Sequence, residues 1–177
     1  NQHKEGKLLP AFPNATVVVQ QAEWDAARAT NELNRDWYSA DELDMLHALR
    51  LVRLVEGEAE IASGVRVMPT GAHSPGHQAL AIHTHGGCLF CPGDLIPAVS
   101  HLRLDRVSAW DESPSHMVEA KREVLRAATD EGWHLFLSHE PGNPLGKMDK
   151  NSGFPVFLPH KSAEMGNQGE NKIACGR

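Results

Sequence analysis

A chain of 177 residues, 41% hydrophobic and 23% charged, holds enough apolar side chains for one packed core and too many for a disordered polymer. Its 17 Lys and Arg against 23 Asp and Glu leave a net charge of −6, which offers nucleic acid or an anionic membrane surface no basic footprint. No apolar run approaches the roughly 18 residues of a membrane helix. No signal-peptide pattern is present and three cysteines make no disulfide framework, so a reducing, cytoplasmic setting is expected.

In chain order, the β-branched run Ala15–Gln20 predicts a buried strand after Pro13-Asn14, and residues 21–27 a short helix. Residues 30–39, with Trp37 and Tyr38, have no clean period and read as a surface excursion. Ser39, with Glu42 three residues on, starts a helix whose stripe is Met45, Leu46 and Leu49. Strands are predicted over 51–56, 58–61 and 65–68, separated by the turn signals Glu56-Gly57 and Ser63-Gly64. A Gly/Pro-rich loop, 69–77, precedes a hairpin of strands 78–84 and 88–91 around Gly86-Gly87. Ser113 as N-cap and Pro114 as first residue open the strongest helix, with Met117, Val118, Val124, Leu125 and Ala128 on its apolar face and Gly132 at its end. A near-continuous apolar strand spans 133–138, and 153–158 suits one last strand.

Histidine is the unusual count, at 11. His73 falls in the loop after the 65–68 strand, Asp94 after the 88–91 strand, and His139 at the end of the 133–138 strand. Three N or O ligands placed where strands stop suit one rim of a sheet, and two imidazoles with a carboxylate suit zinc or a similar divalent ion. Other chemistry-bearing residues read more plainly. His83-Thr84-His85 occupies a hairpin tip, and His47 and His116 are read as solvated helix residues. Cys88-Leu89-Phe90-Cys91 has no second pair to complete a zinc ribbon, only Cys175, and lies in a strand rather than at the helix N-terminus of a thioredoxin-like site. Ser74 and Ser138 lack a nucleophile-elbow setting.

Thr70-Gly71-Ala72-His73-Ser74-Pro75-Gly76-His77 resembles the Thr-Pro-Gly-His-Thr-Pro-Gly-His motif of metallo-β-lactamase-fold hydrolases. Leu89-Phe90-Cys91-Pro92-Gly93-Asp94 and Leu137-Ser138-His139-Glu140-Pro141 are similar to the Gly-Asp and final histidine motifs that follow it. Within that superfamily, Leu9–Ala15, Ala22-Glu23-Trp24 and Gly93–Pro97 look most like the quorum-quenching N-acyl-homoserine lactonases. The resemblance implies an α/β fold, the αββα sandwich, with residues 1–158 forming the hydrolase domain and 159–177 a loose polar tail. It also implies two divalent metal ions, zinc foremost: His73 on one, His139 on the other, and Asp94 bridging both as the catalytic carboxylate. His77 would support the site from behind. His101 and Asp111, in the loop after Asp94, and Tyr38 in the excursion are placed on the substrate side.

Three departures accompany the resemblance. Ala72 and Pro92 stand where the motifs usually have other residues. The family's His-x-His-x-Asp-His motif is absent, so this chain looks like the C-terminal half of the fold, its N-terminal half expected from the same gene or another chain. The isolated half is expected to leave an apolar sheet face uncovered, to self-associate, as a homodimer for instance, and to bind metal weakly. The implied activity is hydrolysis of a small-molecule lactone or related ester by a metal-activated water. The alternatives are aryl ester, phosphotriester or thioester hydrolysis, or a half-domain that serves only as a metal-binding or interaction module.

Overall fold

The computed structural model describes residues 2–4, 7–32, 34–151 and 156–160. Strands β1 (Gln2–Lys4) and β2 (Lys7–Leu9) form an antiparallel hairpin. β3 (Val17–Gln20) pairs in parallel with β4 (Val52–Val55), and helices α1 (Gln21–Arg28) and α2 (Ala40–Ala48) lie between them in the chain. β5 (Ala59–Ala62), β6 (Val65–Pro69), β7 (Gln78–Thr84), β8 (Gly87–Cys91), β9 (His134–Phe136), β10 (Leu145–Met148) and β11 (Phe157–Pro159) build a seven-stranded sheet, ordered β11-β10-β9-β8-β7-β6-β5. Every pair in it is antiparallel except β8–β9. A parallel pair needs a long crossover, and helix α3 (Pro114–Glu131) lies in this one.

Alternation along the central strands sorts the two sheet faces. Ala81 on β7 pairs with Phe90 on β8, and both are buried. With Ala79 and Leu135 they share a core cluster with Met117, Ala120, Leu125 and Ala128 of α3. Phe90 also stacks on Trp133 at 4.9 Å. The opposite face carries Leu80 paired with Cys91, and Ile82 paired with Leu89, all only half-buried. β3 is tied to the start of β7, where Gln78 Nε2 donates to the Val18 carbonyl (3.0 Å) and Gln20 Nε2 to Gln78 Oε1 (3.0 Å). α1 packs on β3 and β4, burying Trp24 and Ala27. Among the described residues no helix is long and apolar enough to cross a membrane.

Several elements differ from expectation. β9 stops at Phe136 because the next pair in register, Leu137 with Pro144, keeps only the bond from the Leu137 N–H to the Pro144 carbonyl (2.9 Å), proline having no N–H to return. β10 was not expected, since Leu145-Gly146-Lys147-Met148 contains no β-branched residue; its place is decided by pairing with β9 and β11. The Ser113 side chain makes no capping bond, and α3 begins instead with Pro114 and the Met117 N–H on the Ser113 carbonyl (2.9 Å). The assigned tail begins too early: Pro159 closes β11, and the His160 N–H donates to the Leu145 carbonyl (2.8 Å). Of the last expected strand, residues 152–155 lie outside the described residues, as does the tail 161–177 with Cys175.

Candidate metal centre

β6 and β8 are both antiparallel to β7, so they run the same way, and β9 runs parallel to β8. The C-terminal ends of all three strands therefore meet at one rim of the sheet. His73 projects from the loop after β6, Asp94 from the 3₁₀ turn Gly93–Leu95 after β8, and His139 from just beyond β9. The loops are stitched together as well, because the His139 N–H donates to the Pro97 carbonyl (2.9 Å) and the Val99 N–H to Glu140 Oε2 (2.9 Å).

The three side chains converge on the Asp94 carboxylate. Its Oδ2 lies 3.6 Å from His73 Nε2 and its Oδ1 2.9 Å from His139 Nε2. Each oxygen thus faces a different imidazole, which divides the donors between two positions. Among the described residues no group of three or more His, Cys, Asp or Glu is placed to hold a metal ion by itself. Ligand bonds of about 2.1 Å at a tetrahedral angle separate N and O by about 3.4 Å. The His73–Asp94 pair already stands close to that spacing, and the His139–Asp94 pair needs to open by about half an ångström. The donor set fits a divalent cation.

Behind this rim His73 and Asp94 are each held by a further residue. Asp111 Oδ1 accepts from His73 Nδ1 (2.8 Å), and its Oδ2 accepts the Ser108 N–H (2.6 Å). An ionised Asp111 keeps the proton on Nδ1, so His73 Nε2 presents its lone pair toward Asp94. His77 Nε2 accepts the Asp94 N–H (3.0 Å), which leaves its Nδ1 to donate to Thr70 Oγ1 (2.5 Å). Burial above all lowers the His77 pKa from its ordinary 6.5, which favours this neutral form. Gly93 makes the approach possible, as its φ is +59° and an added Cβ would lie 2.8 Å from His77 Nε2.

A cavity of about 570 Å³ is lined by His73, Asp94 and His139 and walled by Trp37, Pro97, Ala98, His101, Ser108 and Trp110. Trp37 and Trp110 meet edge to face at 5.9 Å across its mouth. No Lys or Arg lines it among the described residues. Burial, and next Lys121, lower the His101 pKa, so His101 faces the cavity as a neutral ring.

No family profile matches the chain. It is 35% identical over 74 residues to an N-acyl homoserine lactonase of Bacillus cereus, a match spanning 42% of this chain and 26% of that protein. Its structure is similar to that of a probable metal-dependent hydrolase from Staphylococcus aureus (TM-score 0.74, 22% identity, 85% of this chain and 54% of the other). It is also similar to AidC, a dizinc quorum-quenching lactonase in complex with a product N-hexanoyl homoserine (TM-score 0.68, 18% identity, 85% and 56%). The fold is that of the metallo-β-lactamase superfamily. The matched segment spans about a quarter of the curated relatives' length, and the chain about half of these structural neighbours.

On this metallo-β-lactamase scaffold the residues singled out in the sequence divide into groups. His73, Asp94 and His139 come together, His77 stands behind Asp94, and His101 lines the cavity. Asp111 does not face substrate space: its side chain is fully buried behind His73, because the Ser108 N–H turns the carboxylate inward. Tyr38 lies to the side, donating from its hydroxyl to Glu23 Oε1 (2.7 Å) and lining a neighbouring cavity of about 420 Å³. Burial, with the Glu23 carboxylate beside it, raises the Tyr38 pKa. Glu23, Trp37, Trp110 and Lys121 were not singled out. Only Glu23, through the Ala22-Glu23-Trp24 segment, left any signal in the sequence.

Proposed function

We propose that this chain belongs to a metal-dependent hydrolase that opens lactones or related esters. The observation that carries the reading is Asp94, with one carboxylate oxygen toward each of His73 and His139 on the floor of a largely apolar cavity. When bound there, divalent cations (zinc suits this donor set) supply Lewis acidity that acidifies a water and polarises a carbonyl. The chain's own residues do the rest. His73, with its Nδ1 proton held by Asp111, offers a lone pair. Asp94 spreads one negative charge over two positions, and His77 fixes the Asp94 backbone.

The walls favour a neutral substrate with an apolar arm. Trp37, Trp110, Pro97 and Ala98 exclude water from one side, and no cationic side chain of the lining meets an anionic group. That disfavours anionic phosphate monoesters and diesters, and between neutral lactones, carboxylic esters and phosphotriesters the similarity to lactonases favours the lactone. Because the chain covers about half of its structural neighbours, the remaining donors are proposed to come from a segment completing the second sheet, in the same gene product or another chain.

The test is zinc content and turnover on a panel of lactone, aryl ester, phosphotriester and thioester substrates, for this chain and for the complete gene product. Zinc-dependent lactone opening that disappears in Asp94→Ala supports the reading. Turnover indifferent to zinc removal, or preference for the phosphotriester, overturns it.

A further inference from the structure

Glu23 is the third residue of α1, a position from which a glutamate commonly reaches back to cap its own helix. Here the three hydrogen bonds made by its carboxylate all go outside the helix. Oε2 accepts the Ser74 hydroxyl (2.6 Å) and the Gly76 N–H (3.0 Å), while Oε1 accepts the Tyr38 hydroxyl (2.7 Å). These donors come from segments far apart in sequence. One is the loop that carries His73, the residue before Ser74. The other is the excursion that carries Trp37, the residue before Tyr38. His73 and Trp37 line the same cavity.

The approach is close enough to demand its sequence. A Cβ at Gly76 would stand 2.2 Å from the Glu23 backbone nitrogen and 2.4 Å from its Cβ, so the loop lies directly against the first turn of α1. Ser74 is buried there. Hydrogen bonds to an ionised acceptor are stronger than neutral ones, and two of these converge on one oxygen. The loop is also closed on itself, with the Thr70 and Gly71 N–H groups on the His77 carbonyl (2.8 and 3.1 Å). That closure sets its shape; Glu23 ties it to α1, while the Glu112 and Ser113 N–H groups tie its His73 and Ala72 carbonyls (3.2 and 3.4 Å) to the start of α3.

We propose that Glu23 is a positioning residue of the site: one carboxylate anchors the His73 loop through Ser74 and Gly76, and the Trp37 wall through Tyr38. The inference rests on the reading of His73 as a metal ligand. It goes beyond that reading by joining ligand and cavity wall at a shared anchor, so that movement of one segment loads the bonds of the other. The two oxygens make the two halves separable. Removing the Ser74 hydroxyl weakens only the metal side, and removing the Tyr38 hydroxyl weakens only the wall.

The test compares Glu23→Ala, Glu23→Gln, Ser74→Ala and Tyr38→Phe in the full chain by amide hydrogen exchange over residues 70–77 and 34–39, by thermal unfolding, and by zinc titration of the apoprotein. Expected in Glu23→Ala is exchange faster by about tenfold or more in both segments, with zinc binding weakened about 10–100-fold. Ser74→Ala speeds exchange over 70–77 and weakens zinc, leaving 34–39 unchanged. Tyr38→Phe speeds 34–39 alone and leaves zinc affinity at the wild-type value. Glu23→Gln, which keeps one acceptor oxygen, restores part of the loss. The proposal is overturned if Glu23→Ala leaves 70–77 exchange within twofold of wild type, if it loosens all segments equally with a lower melting temperature, or if Tyr38→Phe weakens zinc as much as Ser74→Ala. A wild-type chain that takes up no zinc removes the metal reading of His73, and the exchange pattern then decides the anchor by itself.

Discussion

Asp111 stands behind His73 with its side chain fully buried, Oδ1 2.8 Å from His73 Nδ1. The Asp94 carboxylate faces the other nitrogen of the same ring at 3.6 Å. One imidazole is thus held between a buried carboxylate at Nδ1 and a partly exposed one facing Nε2. Asp111→Ala is expected to lower zinc affinity about 10–100-fold, the usual effect of removing a partner behind a ligating histidine. Asp111→Asn should lose less, because its amide oxygen still accepts from Nδ1. Competitive zinc titration checks the order, and equal affinities in all three proteins would show that His73 needs no such support.

The Asp94 side chain and backbone have separate roles, since its N–H belongs to the His77 bond. Asp94→Ala keeps that bond and removes only the carboxylate. Its melting temperature should remain within a few degrees of wild type while zinc affinity falls by more than the roughly 10–100-fold assigned to outer partners. A large drop in apoprotein stability instead would assign Asp94 a structural role.

Gly93 adopts φ +59°, where an L side chain is strained, and a Cβ there meets His77 Nε2 at 2.8 Å. Gly57 has φ +77° with nothing within 4 Å of the added atom. Alanine at Gly57 therefore costs only the backbone term, about 1–2 kcal/mol. Alanine at Gly93 adds the contact with His77, and its melting temperature should fall further, by roughly 4–8 °C in all for a cost of about 2 kcal/mol or somewhat more. Equal shifts for the two variants would mean that the His77 ring moves aside freely.

Lys121 of α3 is fully buried, its Nζ donating to the Arg106 carbonyl, and burial lowers its pKa from the ordinary 10.5 against the opposing pull of Asp111 and Asp105. The unfolded chain then binds more protons than the folded one between the lowered value and 10.5, so stability rises with pH through that window. Below it the full cost of burying the ammonium applies. Relative to Lys121→Met, wild type should gain stability as pH is raised toward 10.5. Denaturant midpoints for both proteins at several alkaline pH values check the sign, and a wild type that loses stability relative to Lys121→Met as pH rises refutes it.

Much of the site was legible because its parts are local. His73, Asp94 and His139 each follow a strand whose apolar pattern is plain, and the Gly/Pro residues around them mark loops. β10 was not legible, because Leu145-Gly146-Lys147-Met148 becomes a strand only through neighbours on both sides. Asp111 was read as facing substrate because its position in the loop is visible, while the inward turn set by the Ser108 N–H is not.

The sequence by itself determined which residue types stand where strands end, and hence a donor set of two imidazoles and a carboxylate suited to divalent metal. Only the tertiary structure decided that these donors meet on Asp94, since that depends on β6, β8 and β9 running the same way in one sheet. It also decided that Glu23 joins Ser74, Gly76 and Tyr38, and that Trp37 meets Trp110. Hydrogen bonds and ring contacts act over a few ångströms in space, and nothing in a linear pattern records which distant segments the packed core brings within that range.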